Sequence, residues 1–169
     1  MNKDFTKYKK IYIIGPVSSG KTTLSKILSK KLKIKYYELD KVVWDDNRGN
    51  IKRSVLERDK MFNDILKNKT WIVEDVGRNC FRQAVKTADV VYYIDLKRFC
   101  LYYRLIRRWI RQKLNLEHYN YKPTINSLCE LLQWLHKDLK NKNDKLKTLK
   151  EINKNVIILN NKEIKSMIF

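Results

Sequence analysis

Eight residues constrain this chain more than any others: Gly15-Pro16-Val17-Ser18-Ser19-Gly20-Lys21-Thr22, a fit to G-x-x-x-x-G-K-[ST]. In that pattern the two glycines let the backbone turn where a side chain would block it, and the amides between them form a nest for phosphate oxygens. The flanks are what such a loop requires. Lys10-Ile11-Tyr12-Ile13-Ile14 is a short apolar, β-branched run that reads as a buried strand. Beyond the loop, Leu24, Ile27, Leu28 and Leu32 recur at helical spacing, with lysines on the opposite face. Strand, glycine loop and helix together predict a nucleoside triphosphate site. The helix beginning near Gly20 adds its positive end to the anion site. The expected ATP contacts are Gly15, Ser18, Ser19, Gly20, Lys21, Thr22 and Thr23, with Lys21 reaching the β- and γ-phosphates and the Thr22 hydroxyl holding Mg²⁺.

The rest of the chain alternates between two periodicities. Strands are expected over 34–40, at Trp71-Ile72-Val73 running into Glu74-Asp75, over 89–95 and over 156–159. Between them, helices are expected over 51–67, 81–87 and 98–113. A long amphipathic helix opens at Ser127, in capping-box spacing with Glu130, and is interrupted near residues 141–143. A short helix closes the chain over 162–168. Residues 41–50 and 114–123 read as polar connections. Strands separated by helix-length crossovers predict an α/β domain, a three-layer α/β/α P-loop NTPase fold with a five-stranded parallel sheet. No linker divides residues 1–169, so a single domain is expected.

Composition narrows the possibilities. No apolar run approaches the ~20 residues of a membrane span. The first seven residues are polar and too short for a signal peptide, so a cytoplasmic chain is expected. Cys80, Cys100 and Cys129 are odd in number and far apart, which points away from a disulfide framework or a four-cysteine zinc site. There are 38 Lys and Arg against 18 Asp and Glu, a net charge of +20. Such a charge attracts polyanions. The lysines, however, are scattered from end to end, as drift toward A+T-rich codons would leave them. The arginines cluster.

GTPases need a guanine-reading Asn/Thr-Lys-x-Asp element, and Asn143-Asp144-Lys145 is not one. The small kinases remain, in which the loop after the third strand and an arginine-bearing lid complete the site. Their phosphoryl transfer needs cations, metal ligands and an acid that orients the acceptor. Asp40, at the end of the second expected strand, is the candidate for that acid. Glu74 and Asp75 are the candidates for Mg²⁺, and by alternation only one faces the crevice. Arg104, Arg107, Arg108 and Arg111 lie three and four residues apart, so several share one helix face. They are the expected helical lid, about residues 104–123, whose forks match phosphate oxygens. Arg53, Arg58 and Arg78 fall where small kinases hold the acceptor, and Trp44 offers a stacking face. Asn160 and Asn161 follow the last strand, where backbone groups can meet adenine. His118 and His136 carry no assigned chemistry.

In order, Gly-Pro-Val-Ser-Ser-Gly-Lys-Thr-Thr-Leu, Tyr-Glu-Leu-Asp-Lys-Val-Val-Trp, Trp-Ile-Val-Glu-Asp and Asp-Val-Val-Tyr-Tyr-Ile-Asp-Leu, with Arg104, Arg107 and Arg108 behind, resemble the adenylate-kinase-related DNA topology modulation (FlaR-like) proteins. The resemblance spans about residues 10–135. It implies a nucleotide-kinase-like fold with ATP and Mg²⁺, and it favours Glu74 as the metal-facing acid. That family usually reads Asp-Gly-Asn-Tyr after the third strand, where this chain has Glu74-Asp75-Val76-Gly77. Two functions follow as expectations: transfer of the γ-phosphate to a small acceptor, or ATP-switched binding of nucleic acid through the basic surface.

Overall fold

A computed structural model of the chain describes residues 6–117 and 122–168. Five parallel strands form one sheet in the order β2-β5-β1-β6-β7: β1 (Lys10–Ile14), β2 (Tyr36–Glu38), β5 (Trp71–Asp75), β6 (Val90–Ile94) and β7 (Val156–Leu159). The remaining strands, β3 (Trp44–Asp45) and β4 (Ile51–Lys52), make a small antiparallel hairpin. The helices are α1 (Lys21–Leu32), α2 (Asp40–Val43), α3 (Val55–Leu66), α4 (Arg82–Thr87), α5 (Arg98–Lys113), α6 (Ile125–Lys140), α7 (Lys142–Ile152) and α8 (Asn161–Ile168). The expected α/β/α architecture with a five-stranded parallel sheet is the one observed. Among the described residues, no helix is long and apolar enough to cross a membrane.

Strand alternation divides the core in two. Ile11 and Ile13 of β1 point to one face, packed with Leu24 and Leu28 of α1, Leu101 and Leu105 of α5, and Leu135 of α6. Tyr12 and Ile14 point to the other, with Phe62 of α3, Val85 of α4 and Leu149 of α7. Burial on both faces is why β1 and β6 read as continuous apolar runs rather than alternating ones. The same register lines up the strand ends: Ile13 pairs with Glu74, and Ile14 with both Asp75 and Tyr93. Loops leaving the carboxyl ends of β1, β2 and β5 therefore meet at one edge.

Several boundaries differ from the sequence reading. The second strand is only three residues long, and Asp40 begins α2 rather than ending a strand. Residues 41–50 contain most of a helical turn and half a hairpin. The helix expected from residue 51 starts at Val55, because Ile51 and Lys52 pair with Asp45 and Trp44 and the Ser54 side chain caps the helix by accepting from Glu57 N. Likewise Thr124, not Ser127, caps α6, with Oγ1 accepting from Ser127 N at 3.1 Å. The expected interruption falls at Asn141, between α6 and α7.

Candidate functional site

The loop after β1 adopts the conformations its glycines allow. Gly20 has φ +93°, and a Cβ on Gly15 would stand 3.0 Å from both Ile94 Cβ and Ser19 Oγ. Ser18 carries a positive φ of 60° without being glycine, a strained geometry of the kind found where backbone amides are aimed at a ligand. The Ser18 and Ser19 hydroxyls are buried with no hydrogen-bond partner. Buried hydroxyls are normally paired, so the loop presents unmet hydrogen-bonding capacity around an anion-sized turn.

Lys21 is 8% exposed, and its Nζ donates to Pro16 O at 2.8 Å. Burial lowers its pKa, while the carboxylates of Glu74 and Asp40 pull the other way. Thr22 Oγ1 donates to Glu74 Oε1 at 2.9 Å. Burial also raises the Glu74 carboxyl, against the opposing pull of Lys21 and the Thr22 hydroxyl. Asp75, its neighbour, lies on the other side of β5. Its carboxylate accepts from Gly77 N at 2.7 Å, from Arg78 N at 2.6 Å, from the Arg78 guanidinium and from Tyr12 Oη at 3.4 Å. Burial, then Asp75, holds the Tyr12 phenol protonated, as a donor must be. Glu74 thus meets the phosphate loop, and Asp75 fastens the turn behind it.

Above the loop lies a cavity of about 680 Å³. It is lined by Ser18, Gly20, Lys21, Thr22 and Thr23 of the loop and α1, by Asp40 and Glu74, and by Arg104, Arg107, Arg108 and Arg111 of α5. Arg104 Nη1 reaches Ser19 O at 3.4 Å. Arg108 and Arg111 share Glu117, at 3.7 and 3.3 Å, and Arg107 has no ionic partner among the described residues. Asp40 Oδ1 accepts from the Arg78 guanidinium.

Other candidates sit elsewhere. Arg53 is spent on structure: it donates to Lys41 O at 2.6 Å and Trp44 O at 2.7 Å and pairs with Asp45 and Glu57, clamping the hairpin to α3. Arg58 pairs with Asp59 at 2.7 Å, and neither it nor Trp44, which is 37% exposed, lines the cavity. Asn160 caps α8 through Oδ1, accepting from Lys162 N and Glu163 N, and neither it nor Asn161 lines the cavity. His136 contacts Tyr102 Oη at 3.3 Å. His118, and with it part of the expected lid, lies outside the described residues.

Sequence reasoning missed Lys26, Glu38, Val76, Glu117 and Trp134, all in the lining. Lys26 had a signal, since it follows Thr22 by four residues on one helix. So did Glu38, two positions before Asp40. Trp134 and Glu117 arrive through tertiary packing of α5 on α6 and had none.

These residues fit ATP and Mg²⁺. Orphaned hydroxyls and a buried lysine suit phosphate oxygens, and one hydroxyl beside one carboxylate suits a cation that takes most of its ligands from phosphate and water. Accordingly, the described residues contain no cluster of three or more His, Cys, Asp or Glu able to hold a metal by themselves.

No family model matches the chain. Its backbone resembles the shikimate kinase of Acinetobacter baumannii in complex with shikimate, with TM-score 0.62 and 19% identity over 97% of this chain and 90% of that one. It also resembles the shikimate kinase of Bacteroides thetaiotaomicron, with TM-score 0.58 and 13% identity over 95% and 94%. The chain shares the fold of these two kinases. A gluconokinase of Sinorhizobium meliloti gives TM-score 0.53 and 12% identity over 95% of this chain and 87% of its own. In sequence, a shikimate kinase of Legionella pneumophila is 40% identical over 37 residues, 22% of this chain. The alignment spans about a fifth, 21%, of that curated relative.

Proposed function

We propose that this chain, as one domain, transfers the γ-phosphate of ATP to a hydroxyl of a small metabolite, with Mg²⁺ and in the cytoplasm. The observation that carries the reading is the single cavity in which four lid arginines face Lys21 and the Thr22–Glu74 pair, with Asp40 beside them. Phosphoryl transfer asks for little beyond that: positioning and neutralised charge around an in-line displacement. Lys21, released from Pro16 O, binds the phosphates together with the loop amides. Thr22 and Glu74 would hold Mg²⁺, which supplies further charge neutralisation when bound. Asp40 orients the acceptor hydroxyl and takes its proton, and Arg78 holds the Asp40 carboxylate in place. Arg104, Arg107, Arg108 and Arg111 stabilise the charge that develops on the transferred group. Similarity to kinases of shikimate and of gluconate supports a polar, hydroxyl-rich acceptor.

The resemblance to topology modulation proteins suggests the other reading, ATP-switched binding of DNA. The site favours the kinase, because the clustered arginines line the same cavity as Lys21 instead of a separate surface. One experiment separates the two readings: Mg²⁺-dependent ATP consumption against shikimate, gluconate, nucleosides and nucleoside monophosphates, with a no-acceptor control and a plasmid arm. We expect stimulation by one small acceptor, lost by at least about a hundredfold in Lys21→Ala and Asp40→Asn. Stimulation by DNA alone overturns the kinase reading, and full activity in Asp40→Asn overturns the role given to that carboxylate.

A further inference from the structure

A second cavity, of about 430 Å³, opens between α4 and α7 on the sheet face that carries Tyr12 and Ile14. Its floor is apolar, made by Ile14, Val85, Leu149 and Ile152. Its rim is charged and predominantly cationic, with Arg78, Arg82 and Lys145 against the single carboxylate of Asp144. Arg78 and Lys145 are already engaged, with Asp75 and Asp40 and with Asp138 respectively. Arg82 and Asn79 are exposed and Thr148 is half-buried, and none of the three side chains has an ion-pair or hydrogen-bond partner among the described residues. A volume in the range of small-molecule sites, an apolar base and a few unmatched polar groups at the mouth are what a ligand pocket consists of.

We propose that this cavity binds a small organic anion, a compact apolar body carrying one carboxylate or phosphate, with the body on Ile14 and Leu149 and the anionic group on Arg82. An arginine fork matches either anion, and the apolar floor rejects a fully hydrated ion such as free phosphate. The site shares no lining residue with the phosphate cavity, but two contacts link them. Arg78 reaches from the rim to Asp40, and Lys145 donates to Val76 O at 3.0 Å, both Asp40 and Val76 lining the first cavity. Arg78 lines the same cavity as Arg82, so an anion on Arg82 adds negative charge near the guanidinium that holds Asp40, and occupancy is felt at the other site. The proposal does not depend on the phosphotransfer reading.

The test is titration of the ¹⁵N-labelled full chain with benzoate and phenyl phosphate, with benzyl alcohol and benzylamine as neutral and cationic controls. Expected are saturable amide shifts at Arg82 and Thr148, propagating to Asp40, for the two anions and not for the controls. Arg82→Glu weakens benzoate binding by about tenfold or more, and Thr148→Trp, which fills the cavity, removes it. A dispersed spectrum and an unchanged melting temperature certify that each variant is folded. Four results overturn the proposal: no saturable benzoate shift, benzoate shifts confined to Gly20, Lys21 and Arg107, benzyl alcohol binding as tightly as benzoate, or unchanged benzoate binding in both variants.

Discussion

Glu74 is 4% exposed beside Lys21 and Thr22, and the net effect of that setting is to raise its carboxyl above the ordinary value near 4.5. A folded-state pKa above the unfolded one means the folded chain holds the proton more tightly. Its contribution to stability is therefore complete below the ordinary carboxyl range and lost as pH rises through the raised value. Glu74→Gln removes that loss. Thermal melts across pH 4 to about 8 are expected to show the variant melting above the parent at neutral pH, with the gap closing toward acid. A gap independent of pH would contradict the assignment. At this scale the sequence was uneven in what it disclosed. Lys21 and Thr22 were legible because loop chemistry fixes their spacing. Alternation alone left Glu74 and Asp75 unseparated, and only the resemblance favoured Glu74, since which of two adjacent strand residues faces the crevice depends on the phase of β5 against β1, a property of packing. Arg53 had the same local credentials as Arg78, and only the hairpin contacts show it to be structural.

Among the elements, α3 and the arginine-bearing α5 make separate demands. Ser54→Ala removes the hydroxyl that accepts from Glu57 N at 3.2 Å, and a lost cap of this kind costs about 1 kcal/mol. An unfolding free energy from chemical denaturation lowered by that amount, with nucleotide binding unchanged, is the expected result. Just past α5, Glu117 pairs with both Arg108 and Arg111, where a phosphate group would compete for the same guanidinium forks. Both pairs are solvent-exposed, and exposed pairs are worth about 0.2–1 kcal/mol. Glu117→Gln should therefore tighten ATP binding by only about two- to fivefold by titration calorimetry. A larger gain would mean the pair is a true latch, and a weaker affinity would mean Glu117 helps hold the nucleotide. Long elements were read correctly because their apolar faces repeat many times. The two-residue strands β3 and β4 were invisible, being too short for any periodicity. Even the arginine-rich helix misleads in part, for Phe99 has the size of a core residue and is 88% exposed.

Across the molecule, the two ends of the sheet are held in different ways. At the amino end of the strands, Asp89 Oδ2 accepts from Lys9 N and Lys10 N, both at 2.8 Å, and Asn155 Nδ2 donates to Asp89 O at 2.7 Å. Nearby, buried Asn153 donates through Nδ2 to Val85 O and Ala88 O, both at 2.8 Å. Asn153→Ala strands two carbonyls and is expected to cost about 2–3 kcal/mol, read as a lower melting temperature with ATP affinity intact. A parallel loss of affinity would show that the two ends communicate. The overall α/β plan was legible from alternation alone, but none of this stitching was, because each asparagine and aspartate earns its role from a partner distant in sequence. Its consequence concerns descent more than chemistry. A chain whose foundations are fastened at one end can exchange the residues at the other without first risking collapse.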